Sequence, residues 1–223
     1  MMTSGGSLMR LMILLAALVS LAGCAGMTAQ PGNEAALADV RAKIALGRCD
    51  DGLVQSLARH PAPELEQEAA FVCLQQGEVE AVERLLTGYD RRHRNAPHPD
   101  YSAYLLALSQ QVRFELAEGE DALQITEGRK AHQRYAEFVH RYPESEYRND
   151  VGPRLNRLLE DMAQAEYRLA QAALEAGDTA QAEARMRYLL RYYPHSSVAR
   201  EASDWLEQAA RGEDYNIAPG TAW

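Results

Sequence analysis

The sequence AQAEYRLAQAALEAGDTAQAEARMRYLLRYYPHS, residues 163–196, decides the fold. Each half predicts an amphipathic helix, because small or apolar residues recur at helical spacing: Leu169, Ala170 and Ala173 in the first half, and Ala182, Met186 and Leu189 in the second. Gly177 stands between the halves and favours a turn, since glycine enters the left-handed conformation at little cost. Pro194 then ends the second helix. The stretch therefore predicts a helix–turn–helix unit closed by proline.

The same unit recurs earlier in the chain. One copy repeats the spacing of the second helix and its proline, through Ala131, Tyr135, Phe138, Pro143 and Ser145. A weaker copy comes before it, through Ala70, Cys73, Gly77, Val82 and Leu86. The spacing resembles the tetratricopeptide repeat of about 34 residues. Such units bury their apolar faces only against neighbouring units, so the sequence predicts an all-α protein, a tetratricopeptide-like α-solenoid of about five helix pairs.

The repeat pattern also predicts element boundaries. We expect N-terminal tetratricopeptide-like repeats over residues 34–118, C-terminal repeats over residues 119–211 and a flexible tail over residues 212–223. The predicted helices lie near residues 34–46, 50–59, 63–76, 79–91, 99–118, 128–142, 146–160, 161–176, 179–192 and 196–211. Gly152 and Pro153 fall inside one of them, which predicts a helix start or a kink at that point.

The N-terminus is typical of an export signal. Residues 1–23 carry one arginine and then an apolar run that is short for a membrane span, and they end in Leu-Ala-Gly before Cys24. The ending resembles the bacterial lipobox, which implies a lipoprotein signal peptide, cleavage before Cys24 and covalent lipid on its sulfur, including palmitate-type acyl chains. The alternative is a soluble secreted protein in which this cysteine is incidental. No other cofactor is expected.

Residues 24–33 are small and polar and include proline and glycine, which favours a linker between the lipid and the fold. Each buried methylene of an acyl chain contributes about 0.8 kcal/mol, so several chains hold a protein on a bilayer almost irreversibly. Ala25 follows the cysteine, and resemblance to lipoproteins of enteric bacteria implies sorting to the outer membrane. The two remaining cysteines, Cys49 and Cys73, either form a disulfide in the oxidising periplasm or remain as unpaired buried thiols.

Composition and charge exclude nucleic acid as the main partner. The chain has 23 basic and 32 acidic residues, a formal net charge of −9, and only 7% aromatic residues. Binding to phosphate backbones needs positive charge, and stacking on bases needs aromatic platforms. The basic stretch Arg91-Arg92-His93-Arg94 is the exception. It either docks an acidic partner or lipid head groups, or it complements the C-terminus of a helix.

Catalytic motifs are missing from the sequence. It has no glycine-rich phosphate loop, no His-Glu-x-x-His pattern and no Cys-x-x-Cys pair, and its histidines do not stand at ligand spacing. Acidic residues such as Glu118, Glu120 and Asp121 fit a solvated helix turn better than acid–base chemistry. We therefore expect a non-enzymatic protein without a metal site.

The chain is similar to the BamD-like family of outer-membrane lipoproteins. The similarity follows the helix order of residues 34–211 and is most specific at HPDY (98–101), FVHRYPESEY (138–147), AEY (165–167) and RYYPHS (191–196). It implies a periplasm-facing scaffold, lipid-anchored in the outer membrane, whose partners are β-barrel assembly subunits and unfolded outer-membrane proteins. By the same resemblance, residues 34–118 would face the unfolded substrate and residues 145–211 the barrel-forming subunit.

Two segments depart from that family. Residues 118–127 stand where the family has an aromatic, arginine-rich loop, and residues 212–220 stand where it has a further helix. Both missing segments bear on partner docking. A tetratricopeptide scaffold for another envelope system, such as cell division and peptidoglycan, secretion or pilus assembly, is therefore the alternative function.

The lipid anchor is testable through Cys24. We expect Cys24→Ser to give an uncleaved or soluble species, because the serine hydroxyl cannot be alkylated as the thiol is. Membrane fractionation and intact-mass measurement of the expressed protein check this. Unchanged processing and membrane association in the variant would show that the anchor lies elsewhere.

Overall fold

The computed structural model describes residues 31–212, and its regular elements there are helices. They are α1 (Pro31–Ala45), α2 (Asp51–Arg59), α3 (Pro63–Gln75), α4 (Val79–Leu86), α5 (Tyr89–Arg92), α6 (Pro99–Leu116), α7 (Asp121–Arg141), α8 (Arg148–Glu175), α9 (Thr179–Tyr192) and α10 (Ala199–Arg211). The predicted signal peptide, Cys24, most of the linker and nearly all of the tail lie outside the described residues. Helix α1 begins inside the predicted linker.

Consecutive helices pack against one another along the chain. Helices α3 and α4, α6 and α7, and α8 and α9 form successive pairs, each pair contacts the next, and α10 closes on α9. This arrangement confirms the predicted all-α, tetratricopeptide-like solenoid. One apolar core centres on Leu57, Ala70 and Leu105, and another on Met162, Ala182 and Trp205. An aromatic cluster around Tyr104, Tyr135 and Phe138 lies between them.

Two predicted boundaries in the C-terminal half were wrong. The helices expected over residues 146–160 and 161–176 form the single helix α8, because Leu158, Met162 and Ala165 continue one buried face without a turn. Pro153 lies in the second turn of α8, so of the two predicted alternatives the helix start is excluded. Helix α7 begins at Asp121, seven residues before its predicted start near 128, since Gln124 and Ile125 are already buried.

Helix α4 is shorter than the predicted helix over residues 79–91. Gly88 has a φ of 67°, and this left-handed residue separates α4 from the short helix α5. The chain therefore turns before the basic stretch and does not carry it on one long helix. Arg91 and Arg92 belong to α5, while Arg94 lies in the loop before α6.

Close packing of α6, α7 and α8 depends on a missing side chain. Gly128 lies in the middle of α7, and a Cβ there would come within 2.7 Å of Met162 Sδ and 3.0 Å of Phe114 Cδ2. Met162 and Phe114 are both buried. The glycine lets three helices from two successive pairs meet in one place.

Cys49 and Cys73 are bonded through their sulfur atoms, and their Cα atoms lie 5.0 Å apart. Cys73 is on α3, whereas Cys49 precedes α2, so the bond ties the α1–α2 connection to α3. The side chain of Gln76 forms hydrogen bonds with the same α1–α2 connection. It donates to the carbonyl oxygen of Gly47 and accepts from the backbone amide of Cys49.

Breaking this bond should lower stability. We expect Cys49→Ser to reduce the free energy of unfolding by about 3 kcal/mol, because the crosslink spans 24 residues and restricts the unfolded chain. Urea denaturation of the purified protein measures the change. In reducing agent, the free energy of unfolding of the wild-type protein should fall to that of the variant. The stability of the variant should not change when the reductant is added. A reductant-insensitive wild type would contradict the prediction.

Candidate protein-binding groove

An open groove runs across the first helices of three successive pairs, with a volume of about 820 Å³. Helix α3 contributes Phe71, and α6 contributes Tyr101, Tyr104, Leu105 and Leu108. The start of α8 and the turn before it complete the lining with Glu146, Tyr147, Asn149, Asp150 and Arg154. Solenoids of helix pairs use such continuous surfaces for binding. We define these residues as the groove.

Four of its ten lining residues are aromatic. The rings of Tyr104 and Tyr147 stack with centroids 5.0 Å apart, and Tyr101 lies 5.3 Å from Tyr147. Phe138 supports Tyr104 from α7 at 5.6 Å. On α3, Phe71 is 43% exposed, which is unusual for a phenylalanine in a folded domain. The groove thus offers aromatic surface that the fold does not itself cover.

A charged pair lies beside the tyrosines. The Tyr104 hydroxyl donates a hydrogen bond to Asp150 Oδ2, and Arg154 Nε donates to the same oxygen at 2.7 Å. These two bonds lower the pKa of Asp150. Burial, helped by the bond to Asp150, raises the pKa of Tyr104 to about 12. At neutral pH Asp150 is therefore ionised and Tyr104 protonated, so this pair presents fixed polar groups to the groove.

Polar contacts to the backbone fix the entry of α6 against α3. Gln67 Nε2 lies within 2.9 Å of the carbonyl oxygens of Pro97 and His98 and 2.8 Å from Ser102 Oγ. Tyr89 adds a hydroxyl bond of 3.2 Å to Pro97 O. His98 itself has a φ of 43°, a left-handed conformation that these bonds hold in place. They set Tyr101 and Tyr104 opposite Phe71.

Glu66 anchors the same loop through its charge. Its side chain is 4% exposed, and its Oε2 lies 2.8 Å from Arg92 Nη2 and 2.9 Å from His93 Nε2. Arg92 also donates to the carbonyl oxygens of Leu85 and Thr87 at the end of α4. Arg92 therefore complements the C-terminus of α4. This was one of the two interpretations of the basic stretch that the sequence allowed.

A second buried glutamate holds the C-terminal half together. Glu166 on α8 is 3% exposed in its side chain and accepts from Arg129 on α7 at 3.2 Å and from Arg185 on α9 at 2.8 Å. Glu166 stands at the same distance before Gly177 as Glu66 does before Gly77. The two glutamates therefore occupy one equivalent position of the repeat.

The residues predicted for repeat packing lie in the core and in the turns. The buried ones are Ala131, Tyr135, Phe138, Ala170, Ala182, Met186 and Leu189. Gly177 takes a φ of 79° in the turn between α8 and α9. Pro143 and Pro194 are exposed just beyond α7 and α9. None of these lines the groove, which Phe138 reaches only through Tyr104.

Sequence reasoning missed the groove. Phe71, Asp150 and Arg154 were not singled out, and Tyr147 was noted within the stretch that resembles the family. One signal was available, because Phe71 lies off the apolar face that Ala70 and Cys73 share. The other lining residues are distant in sequence, and only the packing of α6 and α8 brings them together.

Residues 31–212 contain no group of three or more His, Cys, Asp or Glu side chains arranged to hold a metal ion. No helix in this part of the chain has both the length and the apolar character needed to cross a bilayer.

Comparison with protein families gives one match over most of the chain. Residues 49–215 match the YfiO family model, described as outer membrane lipoprotein. The match covers every groove residue and every helix from α2 to α10, and only α1 among the described helices lies outside it. It agrees with the lipoprotein character indicated by the N-terminus. The chain therefore belongs to the YfiO family of outer membrane lipoproteins.

Proposed function

We propose that this protein is a non-enzymatic scaffold, lipid-anchored through Cys24 on the periplasmic side of the outer membrane, which binds unfolded outer-membrane proteins during β-barrel assembly. The groove is the observation that supports this proposal most directly. It is open, aromatic and lined by the first helices of three pairs. Family membership supplies the envelope setting.

The chemistry of the groove suits an extended polypeptide with aromatic side chains. Aromatic anchors entering pockets dominate the energy of many protein interfaces, and rings prefer offset or edge contacts such as those already present between Tyr101, Tyr104 and Tyr147. Asp150, Arg154 and Asn149 supply donors and acceptors for an unpaired peptide backbone. A chain on its way into a β-barrel presents both aromatic residues and unpaired backbone groups.

The groove crosses the boundary expected from the family resemblance. Substrate contacts were expected over residues 34–118, yet the groove also uses residues 146–154. Residues expected to face the barrel-forming subunit thus begin at the groove and continue along α8 and α9. Farther along, Tyr192 is 53% exposed beside Leu159 and Pro194, which line a separate cavity of about 390 Å³. This aromatic surface supports docking of a partner protein by residues 145–211.

In-cell photocrosslinking tests the proposal. A photoreactive amino acid at Phe71 should crosslink newly made outer-membrane proteins, because this side chain projects into the groove. Placed at Tyr192, it should crosslink the barrel-forming subunit. Leu123, which is 43% exposed in the first turn of α7 and lies outside residues 34–118 and 145–211, is the control position and should give neither product. Mass spectrometry identifies the products.

Substitution of the groove gives an independent measure. We expect Phe71→Ala to weaken binding of an unfolded outer-membrane protein about thirtyfold, without loss of fold, because truncating an aromatic hot spot costs about 2 kcal/mol or more. Tyr192→Ala removes an exposed aromatic outside the groove and should leave this affinity unchanged.

Crosslinks dominated by cell-division, secretion or pilus proteins would overturn the β-barrel assignment and favour the alternative envelope system.

A further inference from the structure

A second cavity, of about 480 Å³, lies on the other side of α6. Its apolar floor consists of Leu86, Pro99, Ala103 and Leu106, and its rim carries Arg91, Arg134 and Arg141 with Asp90. We call it the arginine pocket. It contains part of the basic stretch that the groove does not use.

The two sites occupy opposite faces of one helix. An α-helix turns by about 100° per residue, so Tyr101, Tyr104, Leu105 and Leu108 share one face. Pro99, Ser102, Ala103 and Leu106 share the face opposite. Both sites can be filled at once, because α6 itself separates them.

The rim is strongly cationic in an acidic protein. Its three arginines face one carboxylate, whereas the whole chain has a net charge of −9. Arg141 pairs with Asp90, and this contact lowers the pKa of Asp90, so that pair is ionised and mutually satisfied. Arg134 reaches Glu137 only at 3.7 Å. Among residues 31–212, no carboxylate lies within ion-pair distance of Arg91.

The Arg91 side chain lies along the pocket and over Gly88. Its guanidinium folds back so that Nη2 lies 3.1 Å from the position a Cβ would occupy on Gly88. Gly88 has a left-handed φ of 67°, which favours glycine and leaves this space to the arginine. An exposed arginine is thereby directed toward the rim by its own turn.

We propose that the arginine pocket binds the phosphate of an anionic phospholipid, with the glycerol end of the lipid against its apolar floor. A cationic rim over an apolar floor matches an anionic amphiphile, and arginine suits phosphate through its planar fork of donors. The chain is an outer membrane lipoprotein, and a tether from Cys24 to Pro31 reaches at most about 25 Å at roughly 3.5 Å per residue. Lipid head groups are therefore within reach of the fold. This inference does not depend on β-barrel assembly.

Binding of short-chain lipids to the full-length mature lipoprotein in nonionic detergent tests the proposal. Isothermal titration should detect dihexanoyl-phosphatidylglycerol and give at least tenfold weaker binding for dihexanoyl-phosphatidylcholine. Arg91→Gln with Arg134→Gln should weaken phosphatidylglycerol binding about tenfold and leave the Arg141–Asp90 pair intact. The matched control is Arg187→Gln with Arg200→Gln, which removes the same charge from exposed arginines elsewhere and should leave binding unchanged.

Further arms separate the possible sources of the anion. Ala103→Leu should fill the floor and weaken lipid binding without affecting inorganic phosphate. Inorganic phosphate that binds as tightly as the lipid would make this a free-phosphate site and overturn the lipid assignment. If both double variants lost the same affinity for phosphatidylglycerol, the effect would be one of net charge alone. If an acidic peptide displaced the lipid, the pocket would be assigned to a protein partner. Either result would contradict the proposal.

Discussion

The structure depends on two buried glutamates that must be paired with cations. Glu66 and Glu166 occupy the same position in two repeats, and both are nearly inaccessible to solvent. A buried carboxylate without partners costs several kcal/mol, so each one constrains where its arginines can lie. Glu166 draws Arg129 and Arg185 from the helices on either side of it. Glu66 draws Arg92 and His93 from the segment that leads into α6.

The groove inherits its geometry from the first of these pairings. Because Glu66 holds residues 92–93 and Gln67 holds the carbonyls of residues 97–98, the start of α6 is fixed against α3. The tyrosines on α6 then face Phe71 at a set separation. Apolar packing alone would allow α6 to slide along α3, since dispersion contacts have little directional preference. The directional bonds select one position.

Sequence alone predicted the helices and their pairing, because both follow from local periodicity. Ala170, Ala182, Met186 and Leu189 repeat at intervals that only packed helices explain. The boundaries between helices were harder to predict, since an interior proline normally disfavours a helix, yet α8 continues through Pro153. The start of α7 was missed because the buried face of Gln124, Ile125 and Gly128 includes a polar residue and a glycine.

The groove and the arginine pocket were not predictable in the same way. Phe71, Tyr104 and Asp150 belong to three helices, and their meeting depends on bonds from Gln67 to backbone carbonyls, which leave no trace in a residue pattern.

Helix α6 shows why a solenoid of this size can carry two sites. Helix α6 belongs to the middle one of three successive pairs, so other helices pack beside both of its faces. Side chains from those helices can complete a cavity on each face. On one face the neighbours α3 and α8 add aromatic rings. On the other, α5 and α7 add arginines. Ser102 and Ala103 on that second face are small, so they leave room for the arginine pocket. Two chemically different surfaces therefore arise from one helix through the side chains that its neighbours bring to it.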